Sequence, residues 1–257
     1  MIKLKTEAQI EKMRAAGVLL HSVLTALRAA ARPGVTTLEL DRMAEDMIRS
    51  AGATPSFKGY AGFPYSICAS IDDQVVHGFS NDRPLLQGQL LSIDCGCKLD
   101  GWQSDSALSV VVGGGNAEAQ RLIDITERCF WLGADMAREG NRLGDIGHAV
   151  QTYAESMGCG VVRDYTGHGI GREMHEDPSV PNYGYAGRGL KLQKGMTIAI
   201  EPMITLGTWR TKKLSDGWTA VTADGSLAAH YEHTVLVTDG EPELLSFPGA
   251  RISEALR

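Results

Sequence analysis

Apolar side chains recur at helical spacing at Ile10, Met13, Leu20, Leu24 and Leu27. They follow a Thr6-x-x-Gln9 pair of the capping-box type and stop at Arg32-Pro33-Gly34, which cannot continue a helix. This spacing predicts a first amphipathic helix. A second is predicted from about Thr37, through Leu40, Met43, Met47 and Ile48, to Gly52, a residue suited to a left-handed cap. The segment from Ala137 to Gly158 matches that from Ala31 to Gly52 in length, and in its Ala, Arg, Gly, Ser and terminal Gly, at an offset of 106. The match predicts two related halves around a shared sheet. Strand-like stretches run from Ser66 to Ser70, Leu90 to Lys98, Trp102 to Val112, Met196 to Ile200 and His230 to Val237. Helices and strands come in separate blocks, which predicts an α+β fold with an antiparallel sheet and helices on one face.

Asp100-Gly101 lies between two of these strands and is a strong hairpin signal. A two-residue turn there sets Leu99 against Trp102, Asp94 against Ala107 and Asp105 against Gly96. Because alternate residues share a face, Asp94 and Asp105 then project on the same side as diagonal neighbours. Three further polar residues lie in apolar or glycine-rich surroundings: His168 in Tyr-Thr-Gly-His-Gly-Ile-Gly, Glu201 in Ile-Ala-Ile-Glu-Pro-Met, and Glu232 in Tyr-Glu-His-Thr-Val-Leu-Val. Four buried carboxylates brought together would repel one another and shift toward the neutral form unless positive charge were present. Two divalent cations would balance them, with His168 as a neutral ligand. Four oxygen donors, one nitrogen and no sulfur suit Mn, Fe(II) or Co better than a structural zinc.

Composition narrows the function without choosing it. The 257 residues contain 43% hydrophobic and 22% charged side chains, ordinary for a globular chain with a substantial core, and no linker-like stretch divides them. One domain spanning residues 1–257 is expected. A net charge of -6 and the lack of any long Lys/Arg cluster disfavour a nucleic-acid partner. No run of about 18 apolar residues predicts a membrane span, and the N-terminus lacks the pattern of an export signal. Five cysteines, an odd number without secretory context, suggest reduced thiols and a cytoplasmic location. Cys95-Gly-Cys97 has no second Cys or His pair at zinc-finger spacing.

The run Tyr165-Thr-Gly-His168-Gly-Ile-Gly-Arg-Glu-Met-His175-Glu-Asp-Pro-Ser-Val180-Pro-Asn182-Tyr183, with the four acidic positions in order, resembles the type I methionine aminopeptidases. The resemblance covers nearly the whole chain. It implies the pita-bread fold, a pseudo-two-fold antiparallel sheet with helices on its outer face. It also implies removal of the initiator methionine from nascent polypeptides when the second residue is small. The 33-residue interval between His168 and Glu201 leaves no room for the helical insertion of type II enzymes, and the few residues before Thr6 match the short bacterial form.

By that resemblance Asp94 would be a terminal ligand of one metal, His168 and Glu201 would serve the other, and Asp105 and Glu232 would bridge them. Glu201 would relay a proton from the attacking water. His175 would hold the scissile carbonyl region, and His77 the substrate backbone near the scissile nitrogen. The methionine pocket would be lined by Phe57, Tyr60, Phe63, Cys68, Met174 and Trp218. Phe57 stands where relatives often have a small residue such as Cys, Met174 where Phe or Leu is frequent, and Cys95-Gly96-Cys97 where an apolar residue and Thr commonly follow the aspartate. Exposed, reactive cysteines near the metals would also make activity sensitive to oxidation. The implied partners are nascent-chain N-termini, at the ribosome, acted on by a monomer. Two alternatives are an X-Pro aminopeptidase or dipeptidase of the same fold, which usually carries a large preceding domain, and a silent binding protein, which would not need all five ligands.

Overall fold

The computed structural model describes residues 2–257. Helix α1 (Glu7–Ala30) starts where the Gln9 side chain accepts from the Thr6 N–H at 3.0 Å and ends just before Pro33. Its buried face comprises Ile10, Met13, Ala16, Gly17, Leu20, Val23, Leu24 and Leu27. Gly17 is required by close approach, since a Cβ there would lie 1.9 Å from the Leu245 carbonyl oxygen. Helix α2 (Thr37–Ser50) opens on a reciprocal Thr36–Glu39 capping box and is followed by Gly52 at φ +76°. Helices α3 (Ala117–Asp135) and α4 (Leu143–Ser156) form the second pair, with the Asn116 side chain accepting from the Ala119 N–H at the start of α3. Each end of α4 lies 106 positions beyond the matching end of α2, and Gly158 repeats the left-handed backbone of Gly52. The repeat seen in the sequence is therefore a repeat of structure.

A single antiparallel sheet carries both halves. Its central strands, in order, are Leu90–Leu99, Trp102–Val111, Glu232–Leu236, Thr197–Ile200, Gly167–Gly169 and Glu176–Val180, with Thr54–Pro55 and Ile67–Ile71 paired to the first. The hairpin has the expected register: Leu99 faces Trp102, Asp94 faces Ala107 and Gly96 faces Asp105. Asp100 and Gly101 both have positive φ, as a two-residue turn of this type requires.

Helices α1 and α2 cover the first half of the sheet through Leu20, Leu24, Leu27, Leu40 and Ile48 against Ile67, Leu91, Ile93 and Cys95. Phe130 and Ile146, from α3 and α4, pack with Ile198, Ile200 and Val235 in the second half. Each such side chain, once fully buried, contributes about 1.5–3 kcal/mol of transfer free energy.

One predicted strand is divided. The run from His230 to Val237 breaks at Tyr231, so that Ala228–His230 pairs in a small sheet with Met203–Thr205 while Glu232–Leu236 joins the main one. The neighbouring chain makes the same crossing at Glu201-Pro202, between Thr197–Ile200 and Met203–Thr205. Two strands thus change sheets side by side, and the acidic residues lie at the seam.

Candidate metal centre

Alternation along the hairpin separates two kinds of surface. Cys95 and Cys97 point toward α1, where both are fully buried and Cys97 Sγ lies 3.5 Å from the Ala16 carbonyl oxygen. Asp94 and Asp105 face the opposite way, beside Cys68, which is opposed to Asp94 on the neighbouring strand. The Asp105 backbone is held from the next strand by the Thr234 hydroxyl, which accepts from its N–H at 3.1 Å and donates to its carbonyl at 3.0 Å. Glu201 and Glu232 enter from the seam; Asn182 donates to the Glu201 carbonyl at 2.9 Å and Ser106 to the Glu232 carbonyl at 2.7 Å.

His168 completes the group. Its Nδ1 donates to the Gly169 carbonyl at 2.9 Å, leaving Nε2 3.7 Å from both Asp105 Oδ2 and Glu201 Oε1. A carbonyl on one ring nitrogen is the usual way of fixing a histidine whose other nitrogen binds a metal. Atoms of Asp105, His168 and Glu232 lie within 4.8 Å of one another, as do atoms of Asp94, His230 and Glu232. Asp94 Oδ1 and Glu232 Oε1 are buried with no hydrogen-bond partner among the described residues.

Electrostatics make the same point. Burial, then the charges of Asp105 and Glu201, pushes the Asp94 carboxyl well above its ordinary range. Glu232 is raised in the same sense by burial and by Asp105, Glu201 and Asp94. Burial raises Glu201 to about 8, against an opposing pull from His168. Orphaned buried oxygens and carboxyls driven toward neutrality mark a site whose charge cations would balance, and the donor set fits hard divalent ions.

These residues form the floor of a cavity of about 200 Å³ whose walls include Phe57, Tyr60, Phe63, Cys68, His77, His175 and Trp218. Phe63 meets Trp218 edge to face with centroids 5.1 Å apart. His175 Nδ1 and the Tyr60 hydroxyl are hydrogen-bonded at 2.8 Å, and the His175 and His168 rings are 4.2 Å apart. The His175 ring is exposed at the rim, yet neighbouring groups crowd it; enclosure, then His168, holds its pKa below the ordinary value. His77 has φ +60°, rare for a residue with a side chain, and faces Tyr165 and Trp218 edge-on. Burial, with smaller effects from His175 and Lys213, lowers its pKa to about 4, so it is a neutral ring at neutral pH.

The sequence of residues 11–239 matches metallopeptidase family M24. This chain belongs to that family. Within M24 the chain is 54% identical to the methionine aminopeptidase of Clostridium acetobutylicum, over 96% of this chain and 99% of that one. It superposes on the crystal structure of methionine aminopeptidase from Rickettsia prowazekii with TM-score 0.95 at 44% identity, covering 96% of this chain and all of that one. The prolidase of Pyrococcus horikoshii shares the fold at 21% identity and TM-score 0.76, and the M24 chain spans only 63% of its length.

Two expectations need correction. Met174 does not line the cavity of the M24 chain: it is 2% exposed and sits behind the wall, among Ile10, Met13, Trp102 and Ile170. The cause is Gly96, whose missing side chain leaves space that the Met174 methyl occupies, 2.5 Å from where a Cβ would stand. The cysteines are not exposed and reactive either. All five are buried, and burial raises the thiols of Cys68 and Cys95 well above their ordinary value and that of Cys97 to about 12.

Sequence reasoning also passed over His230, whose Nε2 lies 3.7 Å from Glu201 Oε2 and from Glu232 Oε2, and Ala61 on the cavity wall. The signal for His230 was its place two residues before Glu232, which in an extended strand puts both on one face.

Proposed function

We propose that this chain is a methionine aminopeptidase which removes the N-terminal methionine from nascent polypeptides when the second residue is small. The observation that carries the reading is the junction of two features in one cavity: a floor of four carboxylates and His168, and a wall of aromatic rings. The floor suits divalent cations and the wall suits a thioether, which makes favourable sulfur–aromatic contacts of about 0.3–1.5 kcal/mol each.

Asp94, Asp105, His168, Glu201 and Glu232 would hold two divalent ions, Mn, Co or Fe(II). When bound, such ions offset the four negative charges and acidify water in the cavity. Glu201 receives the proton released by the attacking water and delivers it to the departing amine. His175, braced by Tyr60, donates to the carbonyl oxygen of the scissile bond, where negative charge develops. His77, neutral and held by the surrounding rings, contacts the substrate backbone near the scissile nitrogen. Phe57, Tyr60, Phe63, Cys68 and Trp218 receive the methionine side chain, and Met174 supports Phe57 from behind. The free amine of the substrate is taken near Asp94, which restricts cleavage to the first bond.

We read the chain as one catalytic domain that works as a monomer in the cytoplasm on chains leaving the ribosome. No helix among the described residues is long and apolar enough to cross a membrane. The test is a peptide assay with added Mn or Co, run with and without a chelator. Release of methionine from Met-Ala-Ser, no release of alanine from Ala-Ala-Ser, and loss of both metal and activity on chelation are expected. Equal cleavage of the two peptides would remove the methionine assignment, and efficient cleavage before proline would favour a prolidase-type activity.

A further inference from the structure

The five residues assigned above leave one polar group at the seam without a function. His230 ends the strand Ala228–His230 and is clamped by Ser109, whose hydroxyl donates to the His230 carbonyl at 2.9 Å and accepts from its N–H at 3.2 Å. Ser109 lies on the strand that carries Asp105, so the position of His230 is fixed from the far side of the site. The ring is 2% exposed. Its Nε2 has no hydrogen-bond partner among the described residues, yet it stands 3.7 Å from Glu201 Oε2 and 3.7 Å from Glu232 Oε2.

Glu201 is therefore flanked by two imidazoles, with Oε1 facing His168 and Oε2 facing His230 at equal distances. The two rings differ in one respect. His168 spends its Nδ1 proton on the Gly169 carbonyl, which leaves a lone pair on Nε2 for an ion. His230 has no carbonyl on Nδ1 among the described residues, so its proton is free to sit on Nε2, where it faces two acceptors. The separation is longer than a hydrogen bond by less than an ångström, and such contacts at active sites commonly tighten when the site is filled.

We propose that His230 is a positioning residue of the metal centre, donating its Nε2–H to the Glu201–Glu232 carboxylate pair and fixing how both side chains face the ions. This rests on the metallopeptidase reading given above. A donor between two carboxylates does two things at once: it weakens their repulsion, and it leaves the opposite oxygen of each to bind metal. Partners of this kind commonly set metal affinity as well as rate.

The test uses the full-length chain, stripped of metal and titrated calorimetrically with Mn(II). His230→Leu, which keeps bulk and removes the donor, is expected to weaken Mn(II) binding roughly 10- to 100-fold. His230→Gln restores an N–H donor and is expected to bind within about threefold of the wild type. If the Leu variant does not melt cooperatively, His230→Asn replaces it, because its shorter amide cannot reach the carboxylates. Wild-type affinity in the donor-free variant would reduce His230 to a packing residue and overturn the proposal. A Gln variant as impaired as the Leu variant would make the imidazole itself a ligand and overturn it equally. If the wild-type chain bound no Mn(II), the metallopeptidase reading would fall together with this one; unchanged binding in the Leu variant alone removes only the role of His230.

Discussion

Gly96 shows how one missing side chain shapes the cavity. A Cβ there would lie 2.5 Å from the Met174 methyl, 3.0 Å from a Phe57 ring carbon and 3.0 Å from the Ser56 Cβ. The glycine thus lets Met174 press Phe57 forward into the wall, and Phe57, Gly96 and Met174, three of the positions at which the sequence departs from common family usage, form one packing unit. Gly96→Ala is expected to overpack this unit, destabilising the fold by about 1–3 kcal/mol. The same change should raise KM for a Met-Ala-Ser peptide more than it lowers kcat, because it moves the wall and not the ligands. Adding Met174→Ala removes the clashing methyl, so the double variant should be more stable than the sum of the two single changes predicts. Denaturant unfolding of the four proteins measures this coupling, and strict additivity would show that Gly96 and Met174 do not share the space. Asp94, His168, Glu201 and Glu232 could be picked out in the sequence because each is a polar residue in apolar or glycine-rich surroundings, whereas Asp105, flanked by Ser104 and Ser106, could be placed beside Asp94 only through the hairpin register. Met174 was placed on the wall by the resemblance, which does not show that Gly96 leaves a hole for its side chain behind that wall.

Capping and turn chemistry made most of the elements legible, since Thr6–Gln9, Asp100–Gly101 and the paired Gly52 and Gly158 act over a few residues. The division at Tyr231 was not, because no proline or glycine marks it; the chain changes sheets there to follow the crossing at Glu201-Pro202, a long-range condition. The loop from Gly171 to Glu176, which presents His175, depends on another long-range contact. Lys5 Nζ reaches Glu176 Oε2 at 2.7 Å, with both side chains nearly excluded from water, and Glu176 Oε1 accepts from the Arg172 N–H at 3.1 Å. Burial alone would raise the Glu176 pKa, but the Lys5 ammonium outweighs it and holds the carboxylate below its ordinary value. Lys5→Met leaves that carboxylate only the exposed Lys3 ammonium at 3.8 Å as counter-charge and is expected to cost about 3 kcal/mol, the lower end of the usual penalty for half of a buried pair. Lys5→Met with Glu176→Gln should recover much of this loss. Hydrogen exchange should show faster opening of residues 171–176 in the single variant, with activity falling through His175. An unchanged exchange pattern would mean that the loop holds its shape without the N-terminal segment.

For the molecule as a whole, the offset of 106 residues already implied two halves sharing a sheet. What no pattern could supply was how much unpaired polarity the seam between them keeps out of water, and the pH dependence of stability follows from that. In the metal-free protein Glu201 is raised from 4.5 to about 8 by burial, so the folded state holds a proton that the unfolded chain has released. Its contribution is complete below about pH 4.5 and is lost as pH rises through about 8, and the raised carboxyls of Asp94 and Glu232 act in the same direction. Burial lowers His77 to about 4 and His230 and His233 to about 3, against an ordinary 6.5, so these rings add stability above about pH 6.5 that is lost on acidification toward 4 and 3. Below about pH 6.5 the histidines and the raised carboxyls act in opposite senses, and above it the carboxyls act alone, so the metal-free fold should lose stability as pH rises from about 6.5 through 8. Mn(II) holds the carboxylates ionised and should reverse only the alkaline limb, because ligand deprotonation then favours the loaded state. Melting temperatures at about pH 6.5 and 8, with chelator and with Mn(II), test both expectations. A chelated protein whose melting temperature kept rising to pH 8 would show that the cluster ionises without cations, against the electrostatic case for a metal centre.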